Sequence, residues 1–296
     1  MPSGFVDDIL DTLLEAGFDA GTESVPIPGF AIRHIGTIVC RHSDGHRMVR
    51  IMPFDIVDTT IEAASLTQHT RVEILNVLRI QDGAYPLIIS RDRWERNRDA
   101  VRLRLFAHLG LYTQIYARNC EVRRIDKPLA SAFLTGYHSY GDAACRYRYG
   151  LYLKRHTGHL AVAYDASLEP GTLVAVATFS AGRKWQKGDK IIRSYEWVRY
   201  SSLPQLRLSG GMGKLLKHFI SEEKPDDIMS YADLEWSEGA VYEELGFVSD
   251  GFREPIVFTV DPVSWIRTPF CGEEQGCLYH KNFGSFKYRM MLTEYH

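Results

Sequence analysis

The stretch from Tyr195 to Leu216 constrains this chain more than any other. An apolar and aromatic run, Tyr195 to Tyr200, is ended by Pro204, and Gly210, Gly211 and Gly213 then deliver the backbone into the apolar helical pattern that begins Lys214-Leu215-Leu216. A strand that turns through glycines into a helix N-terminus aims several unpaired backbone amides at one spot. The helix dipole adds partial positive charge there, so the spot suits a phosphate or pyrophosphate. Two better-known glycine patterns do not fit. The dinucleotide fingerprint needs a third spaced glycine, and Gly211-Met212-Gly213 runs on into Lys214-Leu215. The nucleotide P-loop needs a hydroxyl after its lysine, and Leu215 has none. A tightly packed helix entry with no ligand is the other reading of the same glycines.

Around this feature the chain reads as alternating elements. Phe5, Ile9, Leu13 and Leu14 recur at helical spacing, and Gly17 stops a helix over residues 4–17. Strands are expected at Phe30–Cys40 and Arg47–Met52, joined by Ser43-Asp44-Gly45, and residues 55–78 show no clear period. Tyr85–Ile89 is short and apolar. Trp94, Val101, Leu105 and Leu109 then share a helical face closed by Gly110. The character changes near Ile125–Pro128, which predicts an N-terminal α/β domain over 1–125 and a second domain over 126–296. The second begins with a helix, Leu129–Tyr137. Four strands follow at Arg146–Lys154, His159–Tyr164, Thr172–Phe179 and Ile191–Tyr200, with a helix at Gly213–Ile220. A strand at Ile228–Ala232, a helix at Gly239–Leu245 and a strand at Phe247–Val260 complete the order. The fold class is α+β, with a mixed twisted sheet flanked by helices.

Composition narrows the chemistry. Thirty-five Lys+Arg against thirty-seven Asp+Glu leave a net charge of −2, which argues against a chain-wide electrostatic grip on nucleic acid and leaves a local basic patch open. The acidic start and the lack of a long apolar run point to a cytoplasmic protein with no membrane span. Five dispersed cysteines fit a reducing compartment, and Cys271, Cys277 and His280 lack the tight pairs of a structural zinc site, so no metal is expected. Asp55 and Glu73 could belong to a metal nuclease, but Glu73-Ile74-Leu75 lacks the lysine such a site needs.

Pro204-x-x-Arg207-x-x-Gly210-x-Met212-x-x-Leu215-Leu216 resembles the acyl-CoA loop of the GNAT N-acyltransferase superfamily. Tyr242-Glu243-Glu244-Leu245-Gly246-Phe247 is similar to that superfamily's helix-to-strand junction, about thirty residues downstream. A closer likeness runs over roughly residues 87–260. It includes Phe133-Leu134-x-x-Tyr137-His138-Ser139-Tyr140-Gly141, Leu173–Phe179, Tyr195–Tyr200, Gly210–Leu216 and Ser230-Tyr231-Ala232-Asp233-x-x-Trp236-Ser237-x-Gly239. These resemble a GNAT-like domain of phage proteins, related to Mom-type DNA-modification acyltransferases and often found behind a homing-endonuclease-like segment. One departure is Met212, which stands where a small residue is usual.

The resemblance implies an acyl-CoA-dependent N-acyltransferase, with acetyl-CoA or another acyl-CoA as co-substrate and an amine or similar nucleophile as acceptor. Its pyrophosphate would lie on the amides of Leu208, Ser209, Gly210, Gly211, Met212 and Gly213, with Arg207 and Lys214 beside it. Tyr200, Ser201 and Ser202 would offer backbone to the pantetheine arm. Tyr242 matches the residue that protonates the leaving sulfur. Glu196, among apolar neighbours, would serve as the base, its pKa raised by burial; the alternative is a glutamate satisfied by Arg183, Arg193 or Arg199. His138, Tyr231, Asp233, Trp236 and Ser237 are candidates for the acceptor cleft, although Asp233 or Ser237 could equally cap a helix. The competing functions are a catalytically silent GNAT-fold module that binds nucleic acid, and a Mom-like modifier of DNA bases.

Overall fold

The computed structural model describes residues 4–26, 34–155 and 168–294. In chain order its elements are α1 (Gly4–Glu15), β1 (Ala20–Pro26), β2 (His34–Arg41), β3 (Met48–Phe54), α2 (Ile61–Asp82), β4 (Leu87–Ser90) and α3 (Arg91–His108). Next come β5 (Thr113–Tyr116), β6 (Cys120–Arg124), α4 (Lys127–Tyr137), β7 (Tyr147–Leu153), β8 (Leu173–Phe179), β9 (Arg183–Lys187), β10 (Lys190–Ser202) and β11 (Leu206–Ser209). The last are α5 (Gly211–Glu223), β12 (Asp227–Asp233), α6 (Ala240–Glu244), β13 (Val248–Arg253), β14 (Val257–Val260), β15 (Arg267–Pro269), β16 (Leu278–Lys281) and β17 (Ser285–Met291). None of the described helices is long and apolar enough to cross a membrane. The expected strand His159–Tyr164 and the first residues of Phe30–Cys40 lie outside the described residues.

Two compact units emerge. The first holds Met1–Gly110, Asp233–Ser237 and Arg253–Ser285; the second holds Leu111–Ala232, Glu238–Phe252 and Phe286–His296. The division falls at Gly110, not at residue 125, because β5 and β6 pair with β11 and β7 of the second unit. The expected single strand Phe247–Val260 is two strands: Pro255 interrupts it, and β13 and β14 belong to different sheets.

In the first unit β1, β2 and β3 form an antiparallel meander, and β4 lies parallel to β3 at its edge. Helix α2 makes the parallel crossover. Thr60 Oγ1 accepts the Ala63 amide at 3.2 Å to start it, and Gly83 at φ 66° ends it. Ile74, Leu75 and Leu78 of α2 pack on Met52 and Phe54 of β3. That apolar face is narrow, which is why residues 55–78 show no readable period.

The second unit is built on an eight-stranded sheet in the order β13-β17-β12-β10-β8-β7-β6, with β9 paired to β10. Next to the central β10 lies β8, where Val174 to Ala177 and Phe179 are buried on both faces. Asp126 caps α4 by accepting the Leu129 amide at 2.9 Å. Helix α5 seats Leu215, Leu216 and Phe219, and the Phe219 ring stacks on Phe179 with centroids 3.9 Å apart. These contacts fix where the N-terminus of α5 lies.

Candidate functional site

The central feature of the second unit is a parting of strands. β10 and β12 run parallel through Ser194↔Asp227, Tyr195↔Ile228 and Glu196↔Met229, and there the pairing stops. Beyond it β10 stays with β8, after a bulge between Trp197 and Arg199. A bulge bends and twists the strand that carries it, so the two parallel strands separate where β10 turns away. One backbone edge of Trp197–Ser202 is held by β8, while the other is not paired with β12.

Ser230 of β12 stands in the parting. Its Oγ donates to the Trp197 carbonyl at 3.0 Å and lies 2.9 Å from the Tyr242 hydroxyl. Tyr242 is fixed there by stacking on Tyr288, with centroids 5.3 Å apart, and by an edge contact with Trp197. Burial pushes the Tyr242 phenol above its ordinary value, against a smaller opposing effect from the Ser230 hydrogen bond. The hydroxyl therefore keeps its proton at neutral pH and can donate it.

The entry of α5 is the second component. Gly210 caps it at φ 75°, the left-handed region that favours glycine, and no side chain accepts from the helix amides. Lys214 donates the first helical bond, to the Gly210 carbonyl at 3.0 Å, so the amides of Gly211, Met212 and Gly213 precede the ladder. A Cβ on Gly211 would come within 2.6 Å of the Leu208 side chain and 3.2 Å of the Tyr200 hydroxyl. The Met212 side chain is turned to the core.

This geometry narrows the expected phosphate seat of residues 208–213. Leu208 and Ser209 lie in β11, whose backbone forms a parallel ladder with β5 from Leu206↔Thr113 to Ser209↔Tyr116. Ser209 Oγ accepts from Gln114 Nε2 at 2.9 Å. Lys214 Nζ is already used by the carbonyls of Ala117 and Cys120, at 2.9 and 2.6 Å. Arg207 is exposed and donates to the Tyr112 hydroxyl at 3.2 Å. The amides before the ladder are those of Gly211, Met212 and Gly213.

On β10 the side chains sort by face. Tyr195 and Trp197 turn to the Phe179–Phe219 stack, and Tyr200 to Trp197. Alternation, reset by the bulge, places Glu196, Arg199 and Ser201 on the opposite face, under the end of α4. There Ser201 Oγ donates to the Tyr137 carbonyl at 2.9 Å, and Arg199 Nε to the Gly141 carbonyl at 3.2 Å. Ser202 is paired with Ala175. His138 closes α4: its amide donates to the Leu134 carbonyl at 2.8 Å, and its Nδ1 accepts from the Tyr140 amide at 3.1 Å. Glu196 is half-buried, not buried, and among the described residues it makes no ion pair with Arg183, Arg193 or Arg199.

The expected acceptor group divides. Tyr231 is half-buried on β12 in the second unit, whereas Asp233, Trp236 and Ser237 fall in the first. Asp233 accepts from Arg93 Nη2 and from the Glu235 amide, both at 3.1 Å, and its carbonyl accepts the Trp236 and Ser237 amides at 2.9 Å. The Trp236 ring lies under the guanidinium groups of Arg93 and Arg104. Behind them Glu235 is buried and accepts from Arg93 at 2.9 Å and from Arg267 at 2.7 Å, and it faces His280. Arg267 also holds Asp92 through two bonds, at 2.8 and 2.9 Å. This network escaped the sequence reading because its members, from Asp92 to His280, share no local pattern. Ser230 carried no assigned role either, since a hydroxyl in a strand has no distinguishing spacing.

No family model matches the chain, and no curated protein matches it. Several solved structures are similar. One is the spermidine/spermine N-acetyltransferase SpeG from Vibrio cholerae, at 12% identity over 59% of this chain and 94% of that one, with a TM-score of 0.35. Another is the ribosomal-protein-S18-alanine N-acetyltransferase from Escherichia coli, at 12% identity over 60% and 96%, with a TM-score of 0.34. A third is yncA from Salmonella typhimurium, solved with its cofactor acetyl-CoA, at 13% identity over 60% and 96%, with a TM-score of 0.34.

Proposed function

We propose that the second unit is an acyl-CoA-dependent N-acyltransferase that transfers an acetyl or similar acyl group to an amine. The observation that carries this is the juxtaposition of the parted strands β10 and β12 with a helix entry whose first amides have no side-chain cap. Gly211 packs so closely against the Leu208 side chain and the Tyr200 hydroxyl that no Cβ fits beside the helix-entry amides, and amides at a helix entry suit a pyrophosphate. The acyl-CoA supplies the thioester carbonyl and a thiolate leaving group. The amides of Gly211, Met212 and Gly213 hold the diphosphate, and the edge of Trp197–Ser202 that is not paired with β12 aligns the pantetheine arm as an added strand would be aligned. Tyr242, kept protonated by burial and oriented by Ser230, gives its proton to the departing sulfur. Glu196 takes a proton from the amine, directly or through one water. His138 and Tyr231 border the acceptor.

The test is a thermal shift with CoA together with release of free CoA from acetyl-CoA in the presence of amines. The intact chain should be stabilised by CoA. Gly211→Val, which places two methyl groups against Leu208, should abolish that shift. An intact chain indifferent to CoA, or a Gly211→Val variant stabilised as well as the parent, would overturn the proposal.

A further inference from the structure

A second surface of this unit lies outside the residues proposed for acyl transfer. β9 and the start of β10 form a two-stranded ribbon with Lys187 opposite Lys190, Gln186 opposite Ile191, Trp185 opposite Ile192 and Lys184 opposite Arg193. Every residue of β9 is exposed, as are Gly188, Asp189, Lys190, Ile191 and Arg193. The ribbon carries Arg183, Lys184, Lys187, Lys190 and Arg193 against a single acid, Asp189, in a chain of net charge −2. Two of its cross-strand pairs set like charges directly opposite one another, an arrangement that destabilises a ribbon. Arg193 is tied to the carbonyls of Glu223 and Lys224, and Lys190 to that of Glu294. Among the described residues no carboxylate pairs with Arg183, Lys184 or Lys187, and Trp185 beside them is 52% exposed. Negative charge brought to Arg183, Lys184 and Lys187 from outside the chain would relieve this repulsion.

We infer that this ribbon is a docking arm for B-form duplex DNA. Its unpartnered cations would neutralise backbone phosphates and release their counterions, and Trp185 would rest against sugar and base edges. A two-stranded ribbon fits the B-form major groove, whereas the deep, narrow major groove of A-form RNA shuts it out. An anionic membrane is a poorer match. Trp185 and Ile191 lie on opposite faces of the ribbon, which leaves no single apolar side to enter a bilayer. The inference rests on charge and exposure and stands apart from the acyl-CoA proposal.

The experiment is fluorescence anisotropy of the full chain with a labelled duplex DNA of about 20 base pairs, titrated across salt concentrations. Three neutralised phosphates predict a log–log salt slope of about −2.7. Lys184→Glu with Lys187→Glu should weaken binding at least tenfold and reduce the slope by about two. This pair turns both like-charge contacts into opposite-charge ones, so the melting temperature should hold or rise, and Lys184→Gln with Lys187→Gln gives the same comparison without added negative charge. Trp185→Ala should weaken binding with the slope unchanged. The inference is overturned by an intact chain that ignores DNA at low salt or by charge variants that bind as well as the parent. Equal affinity for duplex RNA, or capture by anionic vesicles in preference to DNA, overturns it too. The CoA thermal shift should be the same in every ribbon variant, so either proposal can fail without the other.

Discussion

The two units use polar groups in opposite ways. In the first unit, the buried cluster closes on itself: Arg93 and Arg267 converge on Glu235, Arg267 also holds Asp92, and His280 faces Glu235 from the other side. In the second unit, among the described residues, the α5 entry has no side-chain cap, β10 beyond Glu196 is not paired with β12, and the Tyr242 phenol rests on the Ser230 hydroxyl. A buried charge must be paired where it stands or the fold loses it, whereas a backbone amide at a helix entry can wait for an anion in water at little cost. The lesson is that charge density alone does not mark a site. The first unit has the denser cluster, and its geometry is that of a structural brace.

Three measurements would break or sharpen this contrast. The largest effect is expected from Glu235→Gln, which removes the anion shared by Arg93, Arg267 and His280. Leaving Arg93 with Asp233 and Arg267 with Asp92 as carboxylate partners, without the one they share, should lower unfolding free energy by about 3–5 kcal/mol in a denaturant titration. A loss below about 1 kcal/mol would mean the cluster is not a brace. Tyr242→Phe should do the reverse. Loss of the proposed proton donor should slow the proposed acyl transfer by a hundredfold or more, while stability changes by about 1 kcal/mol, the worth of one hydrogen bond to Ser230. A variant that unfolds instead, or turns over normally, would erase the distinction between the units.

The smallest effect concerns pH. Burial and the neighbouring guanidinium groups of Arg267 and Arg71 hold the His280 imidazole below its ordinary value, although Glu235 pulls the other way. The unfolded chain therefore binds the proton first. The stability this contributes is present above about pH 6.5 and is lost as pH falls, at no more than about 1.4 kcal/mol per pH unit for one proton. Asp233, pushed above its ordinary carboxylate value by burial, works in the opposite sense at more acidic pH. His280→Gln should flatten the dependence between about pH 7 and 5 in unfolding experiments. An unchanged slope would show that the imidazole does not titrate on unfolding.

Much of the second unit could be read locally. The helix closed at Tyr137, the strands at Arg146–Lys154 and Thr172–Phe179, and the glycine entry to α5 follow from apolar period and glycine punctuation. The 22-residue helix α2 did not, because its buried face is only Ala64, Ile74, Leu75 and Leu78. Strands β5, β6 and β11 were missed because four or five residues carry no period until a distant partner is known. At the candidate site, Gly211 lies at the α5 entry and Tyr242 beside the parted strands, whereas Lys214, expected beside a pyrophosphate, has its ammonium tied to the carbonyls of Ala117 and Cys120. It also grouped Tyr231 with Asp233 and Trp236, which the fold assigns to different units.

What the amino acids determined unaided were features decided within a few residues: a glycine that alone tolerates φ 75°, a capped helix start, an alternating strand. Which amides stay open, which cations are already satisfied and which charges face solvent were decided only when segments far apart in the chain met. Hydrogen bonds and ion pairs are satisfied across space, and no periodicity along the chain encodes a partner a hundred residues away.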